Sequence, residues 1–196
     1  DPSTAAFFIG ATVLMPGSKL RVMNMLLNET RIGFIKALEK MGCSFNYYNV
    51  HKEAGEKVGD IEVTYHKLHG INIDASDIPS IIDELPMLAL IASQARGITK
   101  VSGAKELRVK ESDRIKAICK NLREIGGDIE EKSDGFIING GTELTSGNID
   151  TFDDHRIAMT FHIASLISGK KISLNNTNCV NISFPDFFKT IESIER

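Results

Sequence analysis

Residues 104–114, with the sequence A-K-E-L-R-V-K-E-S-D-R, have the side chains of an acid–base site, since seven of the eleven are charged. Ser112 is predicted to cap a helix, because its hydroxyl accepts a free backbone N–H of the first turn. Arg114 then lies in that first turn, where its charge opposes the helix dipole unless an anion compensates it. Lys110 and Arg114 therefore indicate a site for a small polyanion, with Glu111 placed to move a proton.

A second charged cluster, Asp153-Asp154-His155-Arg156, directly precedes a long apolar segment. Arg156 repeats the placement of Arg114, and its guanidinium fork suits a carboxylate or a phosphate. The alternative is that Asp153 or Asp154 caps the helix and pairs with Arg156. His155 is either a proton donor or a side chain that orients its neighbours. The residues alone leave both pairs of alternatives open.

Asp83 also precedes an apolar segment. Its side chain either caps the helix that starts there or acts as a partly buried general base on a hydroxyl. Glu111, beside Lys110, is likewise either a proton carrier or half of a solvated ion pair. His162 lies inside an apolar segment, which predicts a core histidine rather than a ligand.

Three similar segments are predicted to position these groups. Each combines an apolar helix, a glycine suited to the left-handed conformation that ends a helix, and a strand. The helices span 5–15, 84–95 and 156–168, the strands span 19–26, 98–102 and 171–175, and the glycines are Gly17, Gly97 and Gly169. This regular spacing predicts a threefold internal repeat.

A second, amphipathic helix is predicted in each unit, over 31–41, 113–125 and 185–194. Strand pairs follow the first two of these helices, over 44–50 with 61–66 and over 128–131 with 135–139, and residues 49–60 are predicted to form a loose polar loop. No strand pair follows the third, so a segment outside these residues is expected to complete that unit. The first helix of each unit is apolar nearly all round, which is typical of a buried helix. Three buried helices with converging N-termini, wrapped by three small sheets, are therefore expected.

Composition narrows the class of protein. The chain has 196 residues, 42% of them hydrophobic and 25% charged, with a net charge of -3. These values are typical of a soluble globular protein and argue against general binding to nucleic acid or to a membrane surface. Cys43, Cys119 and Cys179 form no C-x-x-C pair, which indicates a reducing cytoplasm and no metal site. The start at Asp1, without a Met, is expected to be a cut through a longer protein.

Two motifs resemble signatures of the 5-enolpyruvylshikimate-3-phosphate synthase (EPSP synthase) family: L-R-V-K-E-S-D-R-I at 107–115 and D-D-H-R-I-A-M at 153–159. Further similarity lies at 1–8, 28–31, 38–42 and 183–187, so the resemblance covers the whole chain in order. It implies one α/β domain, the C-terminal half of a two-domain enzyme. The implied fold is an inside-out α/β barrel of three βαβαββ-type repeats, about 1–75, 76–145 and 146–196, with buried helices, sheets outside and an incomplete third repeat.

The resemblance implies a transferase of aromatic amino-acid biosynthesis. The enolpyruvyl group of phosphoenolpyruvate moves to the 5-hydroxyl of shikimate 3-phosphate, and phosphate leaves without any metal or organic cofactor. Asp83 would take the hydroxyl proton, Lys110 would assist at that hydroxyl, and Glu111 would exchange a proton with the methylene carbon. The implied partners are these two substrates and the missing N-terminal domain, in a monomeric, cytoplasmic enzyme. The isolated chain is expected to be inactive.

The resemblance also assigns the anion-binding side chains. Arg114 and Arg156 would hold the carboxylate and phosphate of phosphoenolpyruvate, with His155 beside them. The chain departs from the family at Ile182 and Glu106, where some members have lysine and asparagine. Two alternatives remain: the related enolpyruvyl transferase acting on UDP-N-acetylglucosamine, and a non-catalytic module that only binds anions.

Overall fold

The computed structural model describes residues 1–194, which adopt a mixed α/β fold. The α-helices of this range are α1 (Pro2–Leu14), α2 (Gly33–Lys40), α3 (Leu85–Gln94), α4 (Arg114–Glu124), α5 (His155–Ser168) and α6 (Phe187–Ile194). Short 3₁₀ turns lie at Ile78–Ser80, Ile82–Glu84, Lys105–Val109 and Asn178–Ile182. None of these described helices is both long and apolar enough to cross a membrane.

The strands belong to three separate sheets. They are β1 (Lys19–Leu26), β2 (Asn46–Glu53), β3 (Glu56–Thr64), β4 (Asn72–Ile73), β5 (Ile98–Val101), β6 (Asp128–Lys132), β7 (Gly135–Asn139), β8 (Gly147–Ile149) and β9 (Ile172–Leu174). The strand orders are β1-β3-β2, β4-β5-β7-β6 and β8-β9, and within residues 1–194 no sheet closes into a barrel.

Helices α1, α3 and α5 pack against one another at the centre of the molecule. Their apolar side chains point in all directions, so each helix is stable only when it is surrounded by other elements. In α3 every residue from Leu85 to Ser93 is buried. Gly10 of α1 has no Cβ, which lets Met87 of α3 pack directly on the α1 backbone. The predicted burial of these three helices is confirmed.

The glycine that follows each buried helix has the predicted left-handed backbone. The φ angles of Gly17, Gly97 and Gly169 are 84°, 92° and 60°. A side chain is strained in this region, whereas glycine adopts it freely. The chain therefore reverses at these three points, and β1, β5 and β9 begin within three residues of them.

Two parallel strand pairs place the charged clusters at one end of the molecule. Strand β4 pairs parallel with β5, and β8 pairs parallel with β9. Helices α3 and α5 make the crossovers, so their N-termini lie at the carboxyl ends of β4 and β8. Groups that bind ligands in α/β proteins commonly lie at such strand ends.

The predicted loop at 49–60 is wrong, because these residues form most of a β-hairpin. Strands β2 and β3 pair antiparallel up to Glu53 and Glu56, and Ala54 and Gly55 make the turn with φ angles of 49° and 87°. Two-residue turns of this kind match the twist of a hairpin. Every residue of β2 is exposed, so neither of its faces is buried. That removes the alternation of apolar and polar residues by which a strand is normally predicted.

Candidate active site

Helix α4 begins at Arg114, as predicted, but its cap is Asp113 rather than Ser112. The Asp113 carboxylate accepts a hydrogen bond of 3.0 Å from the backbone N–H of Lys116. The Ser112 hydroxyl donates instead to Asp154 Oδ2, at 3.0 Å. Both residue types cap helices well, so the tertiary contact with Asp154 decides between them.

Arg114 joins three carboxylates within the cluster. Its Nε donates to Asp154 Oδ2 at 2.8 Å, its Nη1 to Asp83 Oδ1 at 3.2 Å, and its Nη2 to Glu111 Oε2 at 2.5 Å. The Arg114 side chain has 0% exposed surface. A buried guanidinium is stable only when carboxylates and hydrogen bonds replace its water. Arg114 therefore holds together side chains that are up to 71 residues apart in sequence, from Asp83 to Asp154.

Asp154 is the buried partner of Arg114 and also the cap of α5. Its Oδ1 accepts a hydrogen bond of 2.9 Å from the backbone N–H of Arg156. Burial by itself raises the pKa of Asp154, but the hydrogen bonds from Arg114 and Ser112 outweigh burial and leave that pKa below its ordinary value. Asp154 is therefore favoured as an anion at the N-terminus of α5, where the helix dipole also favours negative charge.

A tight turn carries the chain from β8 into this cap. Phe152 and Asp153 both have left-handed backbones, with φ angles of 53° and 55°. The backbone N–H of Asp154 donates to the carbonyl of Thr151 at 2.9 Å, which closes a four-residue turn. Residues other than glycine are strained in this backbone conformation. The strained turn lies directly before the residues that enter the cluster.

The Arg156 side chain contacts Asp83 and Glu84 rather than the aspartates beside it. Its Nη1 donates to the Asp83 carbonyl at 3.1 Å, and its Nη2 lies 3.4 Å from Asp83 Oδ2. Its Nη1 also lies 3.8 Å from Glu84 Oε1. The capping interpretation is thus correct for Asp154, while the predicted pairing of Asp153 or Asp154 with the Arg156 side chain is wrong.

Asp83 does not cap α3. The residue before that helix is Glu84, and its side chain makes no capping hydrogen bond. The Asp83 carboxylate lies instead among three cations, with Lys110 Nζ at 3.9 Å in addition to Arg114 and Arg156. One third of the Asp83 side chain is exposed. The Asp83 carboxylate is therefore open to a ligand on one side, and its alternative role as a general base stays a prediction.

Lys110 and Glu111 lie on the open side of the cluster. Lys110 Nζ is 3.5 Å from Glu106 Oε1 as well as near Asp83. Glu111 remains half exposed while it binds Arg114. The solvated Lys110–Glu111 pair that remained an alternative does not form, because each residue pairs with a different partner.

His155 and Arg156 line a small polar cleft. Its volume is about 100 Å³, and its other walls include Ser3, Ser183 and Phe184. Burial lowers the pKa of His155, and the Arg156 charge lowers it further, although the Asp154 charge opposes both effects. His155 is therefore favoured in its neutral form, which suits a hydrogen-bonding wall rather than a fixed cation.

The N-termini of the three buried helices converge, as predicted. Ser3 of α1 lines both the cleft beside Arg156 and a second cleft of about 80 Å³ beside Asp83 and Glu84. The Ser3 side chain also lowers the pKa of the Glu84 carboxyl, although burial raises that pKa by more. The starts of α1, α3 and α5 thus meet around one cluster of charges.

Sequence reasoning missed Glu84. This carboxyl group is buried, and burial raises its pKa despite the nearby Ser3 and Arg156. Glu84 precedes a helix that is apolar on all sides, so the helical period turns its side chain towards the core. That position was the signal in the sequence that could have predicted its burial. Glu84 therefore belongs to the cluster and is its least solvated acid after Asp154.

The cluster contains more acids than bases. Its carboxylates are Asp83, Glu84, Glu106, Glu111 and Asp154, and its cations are Lys110, Arg114 and Arg156. The expected basic pocket for a polyanion is therefore not what these residues form by themselves. They form a wall rich in proton acceptors, on which each cation is already paired.

The remaining predicted residues lie outside the cluster. His162 packs edge-on against Phe188 of α6, with ring centroids 4.9 Å apart, which confirms a core histidine. Burial raises the pKa of both Cys43 and Cys119 to about 12, so neither thiol is a ready nucleophile. Ile182 is 80% exposed and makes no polar contact that could replace a lysine. A cleft of about 220 Å³ is a mostly apolar groove beside Phe8 and contains none of the clustered charges.

Residues 1–191 match the family model of EPSP synthase (3-phosphoshikimate 1-carboxyvinyltransferase). The chain belongs to the EPSP synthase family. It is 45% identical over 196 residues to the 3-phosphoshikimate 1-carboxyvinyltransferase of Sulfurihydrogenibium sp. strain YO3AOP1, covering 100% of this chain and 46% of that protein. It is 47% identical over 195 residues to the enzyme of the same name from Persephonella marina, covering 99% of this chain and 45% of that protein.

A solved EPSP synthase from Acinetobacter baumannii has the same fold. The two chains superpose with a TM-score of 0.91 at 34% identity, over 98% of this chain and 45% of that one. The family resemblance carried by the 107–115 and 153–159 motifs is thereby confirmed. The chain spans about half the length of the curated EPSP synthases that it matches.

Proposed function

We propose that this chain is the C-terminal domain of a two-domain enolpyruvyl transferase. The enzyme moves the 1-carboxyvinyl group of phosphoenolpyruvate to the 5-hydroxyl of shikimate 3-phosphate and releases phosphate. The observation that carries the proposal is the convergence of Asp83, Glu111 and Arg114 from the second repeat with Arg156 from the third into one partly open cluster. Family membership and the names of the relatives support the same reaction.

Asp83 and Glu111 divide the proton transfers. Asp83 takes the proton of the 5-hydroxyl as the oxygen attacks C2 of phosphoenolpyruvate, and Lys110 assists at that hydroxyl. Glu111, which carries a proton once it has turned away from Arg114, gives that proton to the methylene carbon, and a tetrahedral intermediate with a methyl group forms. Glu111 then takes a proton back as the bond to phosphate breaks, and the proton held by Asp83 leaves with the phosphate. A positioned general base contributes roughly 10²- to 10⁴-fold to such a step.

Arg114 and Arg156 hold the carboxylate and phosphate of phosphoenolpyruvate, with His155 beside them. Arg156 retains some exposed surface, whereas Arg114 is enclosed by Asp83, Glu111 and Asp154. Arg114 therefore reaches a substrate anion only when Glu111 turns away, which links anion binding to release of the proton carrier. Fixed cations then stabilise the negative charge that gathers on the phosphate and the intermediate.

The domain is an inside-out assembly of three βαβαββ-type repeats, about 1–75, 76–145 and 146–196, the last two residues lying outside the described range. Burial of α1, α3 and α5 beneath separate sheets supports this arrangement. The second repeat forms a four-stranded sheet, whereas the third contributes only β8 and β9. Strands from the rest of the enzyme complete the third repeat.

The N-terminal domain supplies the opposite wall of the site. The acid-rich cluster needs additional cations to receive two phosphorylated substrates, and the relatives are about twice the length of this chain. The intact enzyme acts as a cytoplasmic monomer, needs no metal or organic cofactor, and binds neither nucleic acid nor membrane. The net charge of -3 fits this set of partners. The relatives' shared name favours shikimate 3-phosphate over UDP-N-acetylglucosamine as acceptor.

Replacing the proposed base tests this assignment. In the two-domain protein, Asp83→Asn keeps the shape of the side chain but removes its basicity. We expect turnover to fall at least about 100-fold, while both substrates still bind in an equilibrium titration. Asp77→Asn is the matched control, since Asp77 has similar exposure and pairs with Lys40 away from the cluster. Unchanged turnover in Asp83→Asn would remove Asp83 from the base role.

A further inference from the structure

Arg108 lies in the charged motif, but it makes no contact with the clustered charges. All five of its N–H groups are donated, which is the full capacity of a guanidinium. Nη1 donates to both carboxylate oxygens of Asp113 at 3.1 and 2.9 Å, and Nη2 donates to Glu131 Oε1 at 3.0 Å and to the Lys132 carbonyl at 2.6 Å. Nε donates to the Ser133 carbonyl at 2.8 Å. Arg108 therefore fixes three segments to one another.

The segment fixed by Arg108 is the one that carries Lys110 and Glu111. It leaves β5 and returns to the core at α4, across residues 102–113. Its start is attached to the β6–β7 turn, because the backbone N–H groups of Gly103 and Ala104 donate to Asp134 at 2.8 and 2.7 Å. Its middle is attached to the same hairpin by Arg108. The attachment at Asp134 and the attachment at Arg108 are thus both to the β6–β7 hairpin.

Beyond Arg108 the next attachment of the segment outside Lys110 and Glu111 is the Ser112 hydroxyl, which donates to Asp154 Oδ2 at 3.0 Å. Val109, the next residue, is 81% exposed. Lys110 and Glu111 follow at once, and their side chains contact the cluster at Asp83 and Arg114. The position of their backbone therefore depends on the attachments on either side, at Arg108 and at Ser112.

Asp113, at the C-terminal end of the segment, also binds Arg108 and so adds to the effect of Arg108 on Lys110 and Glu111. Asp113 receives two hydrogen bonds from Arg108 and also caps α4 through the Lys116 N–H. The next residue is Arg114, which joins the carboxylates of the cluster. Arg108 thus fixes the residues on both sides of Lys110 and Glu111. A lysine at this position has one ammonium group and cannot reach the five acceptors at once.

We infer that Arg108 is a positioning residue for the proposed transferase. It binds the β6–β7 hairpin and the cap of α4, and so holds Lys110 and Glu111 against Asp83 and Arg114. Its effect on turnover rests on the proposed function, whereas its effect on the loop does not. A displacement of about 1 Å at reacting groups costs roughly 100-fold in rate, so the loss of this attachment should be visible in catalysis.

The test compares Arg108→Lys and Arg108→Gln in the two-domain protein. Arg123→Lys is the matched control: Arg123 also donates to a β6 carbonyl, that of Ile129 at 3.0 Å, but from the far end of α4. The readouts are hydrogen exchange at the backbone amides of residues 109–112 and kcat per folded site, with KM for each substrate. Scaling both variants to the folded fraction separates positioning from simple loss of stability.

We expect exchange at 109–112 to become at least about tenfold faster in Arg108→Gln, with β6 and β7 unchanged. We expect kcat to fall roughly 10- to 100-fold, with KM changed much less, and Arg108→Lys to lie between. Wild-type exchange and kcat in Arg108→Gln would overturn the inference. If Arg108→Gln does not fold, Glu131→Gln removes one acceptor and should give a smaller change of the same kind. A wild-type protein without transferase activity would contradict the proposed function, yet the exchange measurement would still decide on Arg108.

Discussion

Arg114 is a fully charged side chain with no exposed surface, and three carboxylates make that possible. Removing one partner of a buried ion pair commonly costs several kcal/mol, because the other charge is left unsolvated. Asp154 is the strongest of these partners, since it is itself buried and also receives the Ser112 hydroxyl. At this scale the proposed site is first a stable ion network, and it becomes a binding site when a ligand competes for its cations.

His162 allows a residue-scale prediction on pH. Burial between α5 and α6 lowers its pKa, which the nearby Glu192 only partly offsets. The unfolded chain therefore takes up the proton first as the pH falls through about 6.5, the ordinary histidine value. The free energy of unfolding should be highest above that pH and decline below it, by at most about 1.4 kcal/mol per pH unit from this residue.

The measurement is denaturant unfolding of the wild type and of His162→Gln between pH 5 and 7.5. The difference between the two proteins should shrink as the pH falls, because only the wild type loses this contribution. Other groups, including His155 with its lowered pKa, are present in both proteins and cancel. His51→Gln, on the exposed strand β2, is the control. A difference independent of pH would contradict the assigned role of burial.

Individual residues were predictable from sequence where one local rule decided their place. Arg114 lies in the first turn of a helix because a capping residue precedes it, and this holds whether the cap is Ser112 or Asp113. The choice between Ser112 and Asp113, and the choice between cap and base for Asp83, depend on side chains about 30 to 40 residues away. Glu84 was missed for the same reason, since the groups that act on its carboxyl include Ser3 of α1 and Arg156 of α5.

The turn between β8 and α5 is the strained element of the site. Type I′ turns favour asparagine and glycine at their central positions, because both residues there have positive φ. Phe152 and Asp153 occupy these positions here. Asp153 is compensated by Asn176, whose Nδ2 donates to its Oδ1 at 2.6 Å. The turn is maintained by its surroundings rather than by its own residues.

Asp153→Ala should therefore cost more stability than the loss of one hydrogen bond. The control is Asp128→Ala, because Asp128 accepts a similar bond from Asn139, at 3.1 Å, but lies in the extended strand β6. We expect Asp153→Ala to lower the free energy of unfolding by about 1 kcal/mol more than Asp128→Ala. Asp153→Asn should stay near the wild type. Equal losses in the two alanine variants, measured by denaturant unfolding, would show that the turn is not strained.

Elements were predictable where composition and period agreed. An apolar segment followed by glycine and an alternating strand located α1, α3 and α5 to within a few residues. The pairing of β2 with β3 was predicted, but a loop was predicted over the inner halves of both strands, because every residue of β2 is exposed and no buried face marks that strand. The distances within the cluster were not predictable, because they depend on how three repeats pack rather than on any one of them.

At the scale of the whole molecule, the charge balance of the cluster determines how well this chain binds anions by itself. Its cluster has five carboxylates and three cations, and each cation is already paired. The two phosphorylated substrates that we propose would therefore meet net repulsion on this wall. Closure against a second, more basic wall would reverse that balance and exclude water.

The isolated chain should bind phosphoenolpyruvate and shikimate 3-phosphate at millimolar concentration or not at all. Titrating each ligand while following backbone amide shifts measures this directly. Any shifts should centre on Arg156 and His155, which line the open cleft. Micromolar binding by the isolated chain would mean that the site is complete without another domain.

The central claim is the transfer reaction itself, and acceptor-dependent phosphate release tests it most directly. The two-domain protein is mixed with phosphoenolpyruvate and either shikimate 3-phosphate or UDP-N-acetylglucosamine, and phosphate is measured over time. The account predicts steady release with shikimate 3-phosphate and none with the nucleotide sugar. Release with UDP-N-acetylglucosamine alone, or with neither acceptor, would contradict it.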